Sequence, residues 1–341
     1  TLKAVITDFL GLVYVKRVNH PGKVIVPLAG NNPILQQLDD QWQIEIWRKN
    51  TAGTWIREIT SIYNYIHWSQ SGPSVGTIRA DGLLGILQDR IIAWTAGYAD
   101  RSKFTSEKAE TIANTLVKYN ATSSATTGAG RLRDGQITGL TVESDGAEGN
   151  TVDWFCAYDE LLKSLQGLAK IGGGDFDIVK TSNTAWQWRW YTGQLGTDKS
   201  SLITFALGRN NMAYPIYEDD RSEEKTVAIV GGQGEGTDRL IKIRTGENYD
   251  IAKNNKEIFV PATDITTEAG LESRGDKALK EKEAVKLFNF KVLQIPGCQY
   301  SDDYNVGDKV KAINAFTGNS YTVKIEAATV NVKKDGSVDI L

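Results

Sequence analysis

"VAIVGGQGEGTDRLIKIRT", from Val227 to Thr245, sets four glycines into six residues between two apolar runs. A phosphate-cradling loop and a hairpin tip can both begin this way, and they lead to different proteins. A Walker-type loop needs lysine and then serine or threonine after its last glycine, followed by a helix whose N–H groups meet the phosphates. Gly231 and Gly236 have the spacing, but Thr237 and Asp238 stand at those two positions, and an aspartate repels phosphate. A dinucleotide fingerprint through Gly232 and Gly234 requires glycine or alanine at Thr237, and again a helix. "RLIKIRT" instead alternates Leu240, Lys242 and Arg244 with Ile241 and Ile243, the period of a strand. Strand, glycine loop, strand is a hairpin. Gly231, Gly232, Gly234 and Gly236 are therefore predicted to form a structural turn, with Gly234 or Gly236 at positive φ.

Outward from that turn, composition narrows the chemistry further. The 341 residues suffice for two or three domains, and 40% hydrophobic with 24% charged residues is ordinary for a globular chain. A formal net charge of -3 gives no reason to expect a surface for nucleic acid or anionic membrane. No apolar run approaches a membrane span, and "TLKAVITDFLGLVYV" reads as a strand rather than a signal sequence. Thr1 fits a chain whose initiator methionine was removed, so synthesis in a cytoplasm is expected. Cys156 and Cys298 are far apart in sequence and are expected as buried free thiols, a disulfide being the alternative. His20 and His67 are the only histidines, which argues against histidine-based zinc sites and catalytic arrangements needing a second, orienting histidine.

The pattern along the chain is β-rich at both ends. "LVYVKRV" and "KVIVPL" flank a turn with Pro21 and Gly22, and "WQIEIWRK" and "WIREITSIYNYIHW" repeat the theme with Ile44 and Ile46 on one face. "ADGLLGILQDRIIAW" reads as a short helical turn. In the middle, "TSEKAETIANTLVKYN" predicts a helix capped by Thr105 or Ser106. "ATSSATTGAGRLRDGQ" predicts a flexible loop or surface excursion. "NTVDWFCAYDELLKSLQGLAKIGGG" predicts a longer helix capped by Asn150 or Thr151 and stopped by Gly172 to Gly174. "LESRGDKALKEKEAVKLF" predicts an exposed helix burying Leu279 and Leu287, and the C-terminal stretch a meander turning at Gly307, Gly318 and Gly336.

Three further groups have two readings each. Trp186, Trp188 and Trp190 lie two apart, so a strand puts all three on one face, to stack sugars or to bury against a helix or subunit. Asp302, Asp303 and Asp308 suggest a metal loop but match no calcium spacing, and turn roles are favoured. Asp153, Asp159 and Glu160 sit where carboxylates favour a helix dipole; a general acid/base pair needs a cleft that no pattern here marks.

In sequence order, "GLVYVKRVNHPGKVIVPL", "ADGLLGILQDRII", "VAIVGGQGEGTDR", "GLESRGDKALKE" and "DDYNVGDKV" resemble the siphophage tail hub, or tail-associated (tail-tip), protein family. That family is distantly similar in fold to the baseplate hub proteins of contractile phages. The most specific pieces are "GGQGEG" followed by "DR", and "DYNVGDKV". The resemblance implies an α+β, β-rich fold with two hub-type β-barrel domains flanking an α+β middle region. Residues 1–95 would be the first barrel, 96–200 the middle, and 201–341 the second barrel with a helical insertion around 262–288.

It also implies a structural, non-enzymatic role. The expected protein is a homotrimeric ring at the virion tail tip that continues the tail tube, carries fibre or receptor-binding components and lets DNA pass during ejection. Expected partners are a distal tail protein or tail tube protein, a tape measure protein, and a tail fibre or receptor-binding protein. DNA would be met only in transit, without specific binding, and no catalytic, cofactor or metal residues and no membrane insertion are expected. Many relatives continue into a peptidoglycan-cleaving or receptor-binding extension, whereas this sequence reaches Leu341, which disfavours a self-contained lysin or fibre. Two alternatives come from other classes: a carbohydrate-binding module using the tryptophan face, and a cell-wall hydrolase with a carboxylate pair in the middle.

Overall fold

The structure, a computed structural model, describes residues 2–40, 42–97 and 100–341; Thr1, read above as a trimmed N-terminus, lies outside them. The first portion is five strands: β1 (Gly11–Arg17), β2 (Lys23–Ala29), β3 (Gln43–Lys49), β4 (Trp55–Ser69) and β5 (Val75–Gly82). β1 and β2 form the expected hairpin, with Val13 opposite Ile25 and Val15 opposite Lys23. β3 and β4 form the second. After β5 a 3-10 turn, Leu83–Leu87, buries Leu83, Leu84 and Leu87 against the middle of the chain.

The middle holds β6 (Ser102–Lys108), α1 (Ala109–Ala121), β7 (Leu140–Val142), β8 (Thr151–Cys156), α2 (Leu161–Gly172), β9 (Gly174–Ser182) and β10 (Ala185–Thr192). Both helices begin later than the sequence predicts. Thr105 and Ser106 belong to β6, which pairs antiparallel with β8, and α1 starts only at Ala109. The Asn150 and Glu148 carbonyls accept the first N–H groups of α1, so backbone does what a capping side chain was expected to do. Asn150 and Thr151 likewise do not cap α2, because Trp154 and Cys156 alternate inward along β8 with the period of a strand. Tyr158 at φ 58° breaks the chain before α2 begins.

Gly173 at φ 70° closes α2, its N–H bonding the Ala169 carbonyl. The 121–136 stretch is not loose: Ala125 and Arg131 are buried, and Arg131 donates to the Ile91 carbonyl at 3.1 Å.

The rest comprises β11 (Thr204–Phe205), β12 (Met212–Asp220), β13 (Val227–Gly231), β14 (Ile241–Thr245), β15 (Glu257–Pro261), α3 (Glu268–Glu281), β16 (Val285–Val292), β17 (Lys309–Ile313), β18 (Ser320–Lys324), β19 (Ala327–Lys333) and β20 (Val338–Ile340). Leu279 is buried on α3 as expected, whereas Leu287 lies on β16 and is exposed, because the helix ends six residues earlier at Glu281.

One sheet runs β12-β16-β20-β19-β1-β2-β5-β4-β3. β1 and β19 join in register from Gly11 opposite Lys333 to Arg17 opposite Ala327, so strands from the 1–95 and 201–341 portions share one sheet. They also share one core, in which Tyr14, Val24 and Ile78 pack with Phe205, Val310 and Val330. A second core belongs to the middle, and a third, small one lies between β13, β15 and α3. The end strands of the large sheet, β12 and β3, pair with no further strand among the described residues.

Candidate assembly surfaces

The glycine turn joins β13 to β14, with Val227 opposite Thr245 and Gly231 opposite Ile241. Backbone bonds close the turn: Gly232 donates to the Leu240 carbonyl, Leu240 to that of Gln233, and Asp238 to that of Glu235. Gly234 has φ +100° and Gly236 φ +56°. Gly231 and Gly232 lie where a Cβ would strike the Phe259 ring and Leu271, respectively. α3 covers one face of the β14-β13-β15 sheet through Leu271 and Leu279, and the Arg244–Asp276 pair ties its edge at 2.7 Å. The other face carries Ile243 and Phe259, both exposed, with the Arg239 guanidinium over the Phe259 ring.

Trp186, Trp188 and Trp190 share a face of β10, and that face looks inward. Trp188 is 0% exposed, stacks on Phe176 at 4.8 Å and donates from Nε1 to Asn114 Oδ1 on α1 at 3.0 Å. Trp190 is buried against Gly172 and Gly174, and Trp186 is partly buried. Buried indoles offer no ring face to a sugar, which corrects the glycan-stacking reading for this strand.

Four of the carboxylates raised by the sequence, Asp153, Asp302, Asp303 and Asp308, are held by the chain's own donors. Asp308 accepts from the Thr197 and Asn305 N–H groups and pairs with Lys199 at 3.0 Å. Asp303 accepts from the Gln299 N–H, Asp302 from that of Thr51, and Asp153 from that of Ser106. Cys156 and Cys298 are free and buried in different cores, and burial pushes the Cys156 thiol up to about 12.

No sequence pattern marked Asp177. It lines a cavity of about 240 Å³ between the large sheet and β9, with Lys16, Arg17, Arg57, Glu58 and Lys180. Burial pushes its carboxyl up to about 6, with Lys16 opposing the shift.

The free ends of the large sheet were also missed. The β3–β4 hairpin exposes Trp47 and Trp55, and β12 exposes Tyr214 and Ile216 beside Leu287 of β16. Strand alternation could have flagged Trp47 as facing away from Ile44 and Ile46, but nothing local shows that β3 and β12 are edges. That depends on which strands pair across hundreds of residues.

A family model described as Siphovirus ReqiPepy6 Gp37-like protein matches residues 1–340. No curated protein matches the sequence. Among solved structures, the fold is similar to prophage tail protein gp18 of Listeria monocytogenes EGD-e, at 13% identity over 99% of this chain and 89% of that one, TM-score 0.56. It is similar to the 43 kDa tail protein of prophage MuSo2 from Shewanella oneidensis, at 14% identity over 97% and 93%, TM-score 0.58. It is similar also to a tail protein from Neisseria meningitidis MC58, at 9% identity over 97% and 90%, TM-score 0.54. At these identities the likeness is one of fold.

Proposed function

The chain belongs to the siphovirus ReqiPepy6 Gp37-like family of phage tail proteins, and from that premise we propose that it is the structural hub at the tail tip. The family match along residues 1–340 carries the reading. The geometry supports it, because β10 turns its tryptophans inward and the glycine turn leads into a strand rather than the helix a phosphate loop needs. In this proposal the protein is made in the bacterial host cytoplasm and assembles into the virion as a non-enzymatic homotrimer.

Each copy supplies two barrel-type units, joined to one another through the β1–β19 pairing, to a ring that continues the six-fold tube: residues 1–95 give one, and residues 201–341 the other, with α3 as its insertion. The 96–200 portion sits outside the ring. A distal tail or tube protein and the tape measure protein lie above, and a fibre or receptor-binding protein is carried below. DNA crosses the ring without specific contacts. A basic wall would hold phosphates through counterion release and slow that passage.

Mass photometry across a concentration series, alone and with the matching distal tail protein, tests the reading. A three-fold species is expected, strengthened by the partner through mass action. A strict monomer or dimer in both conditions overturns it.

A further inference from the structure

A cyclic trimer needs two different, mutually complementary patches on every copy, since each subunit meets one neighbour with one face and the other neighbour with another. The two free ends of the large sheet have this relation. At one end the β3–β4 hairpin presents Trp47 and Trp55, the latter 60% exposed, with Lys49 Nζ 5.3 Å from the Trp55 ring centroid. No ion pair joins Lys49 to a carboxylate among the described residues.

At the other end the pairing of β12 with β16 sets Ile216 opposite Asn289, Glu218 opposite Leu287 and Asp220 opposite Val285. Ile216, Glu218 and Asp220 therefore share one face with Leu287 and Val285, and all five are exposed. Asp219 is paired with Arg221 at 3.0 Å, while Glu218 and Asp220 form no ion pair among the described residues.

Simple strand addition is disfavoured at the β12 edge. Pro215 has no N–H to give, Tyr214 has φ 50°, and the register shifts between Ala213 and Ile216. Contact there must run through side chains, and aromatic anchors with flanking charges are what interface centres favour. A symmetric contact of either end with itself would oppose Lys49 to Lys49, or Glu218 and Asp220 to their own copies. Contact between unlike ends pairs the charges instead.

We propose that the β3–β4 hairpin of one copy docks through Trp47, Trp55 and Lys49 on the β12–β16 face of a second copy, made by Ile216, Leu287, Glu218 and Asp220. The inference rests on the trimeric reading above and specifies the surfaces that close the ring.

The test uses two full-length variants, Trp55→Glu and Ile216→Glu, each altering an exposed side chain and each checked for parental circular dichroism and melting temperature. At a concentration where the parent is trimeric, each variant alone is expected to be monomeric. An equimolar mixture is expected to give a one-to-one dimer and no trimer, because one intact hairpin meets one intact β12 face. Trimeric variants overturn the inference and leave the hub reading standing, as does self-association of either variant into dimers. A parent that forms no trimer, alone or with the distal tail protein, removes both.

Discussion

At Gly234 a Cβ would sit 2.5 Å from the Asp238 carbonyl oxygen, whereas at Gly236 nothing lies within 4 Å. Both have positive φ. Gly234→Val is therefore expected to cost more than Gly236→Val in urea denaturation, the second on the order of 1–2 kcal/mol from backbone strain alone. Equal melting of both variants and the parent would refute the turn geometry. Asp177 shows the opposite case, a residue whose state is set by its surroundings. Its folded pKa, about 6, lies above the ordinary aspartate value of 3.8, so the folded state holds the proton more tightly than the unfolded chain. The charge on Asp177 therefore costs stability above pH 6, and the cost fades as pH falls from 6 towards 4. Asp177→Asn should raise stability at pH 7.5 by roughly 1–3 kcal/mol, with little change at pH 4. A variant less stable than the parent at pH 7.5 would contradict the half-buried carboxylate that forms no ion pair among the described residues. The Cys156 thiol, pushed up to about 12 by burial, is expected to resist alkylation at pH 8 until the protein unfolds.

Element boundaries were legible where a local signal was strong, and misread where pairing between distant segments overrode it. Gly173 ends α2 as a left-handed cap, a purely local event. The start of α2 was obscured because Phe155 and Leu161 happen to continue a helical stripe, while pairing with β6 draws residues 151–156 into a strand. The α1–α2 contact depends on Gly172, where a Cβ would meet the Ala109 side chain at 2.5 Å. Gly172→Val is expected to destabilise the middle core by about 1–3 kcal/mol through overpacking. Trp188→Phe removes the donor to Asn114 Oδ1 and part of a buried ring, a cost of about 2 kcal/mol. Thermal melting checks both, and an unchanged midpoint for Trp188→Phe would mean the indole is not locked in the core.

Across the whole molecule, joining the two chain ends in one sheet is the feature with the widest consequences. Val330 on β19 is fully buried and packs in the same core as Tyr14 of β1. Val330→Asp puts an unpaired charge there, and hydrogen exchange is expected to accelerate along β1 as well as β19. Acceleration confined to β19 would show that the two ends are independent units. Calorimetry with ATP, GTP and NAD is expected to give no saturable heat, because Asp238 stands where a phosphate loop needs a hydroxyl beside its lysine, and the strand β14 follows where it needs a helix. The hairpins and the glycine turn were readable locally, since alternation, closely spaced glycines and an aspartate in the phosphate-loop position act over a few residues. That the tryptophans of β10 face a helix, that Asp177 lines a cavity beside the large sheet, and that β3 and β12 are the free edges came instead from long-range pairing. Those outcomes depend on contacts between residues far apart in the chain, and periodicity reveals which residues share a face without revealing what that face meets.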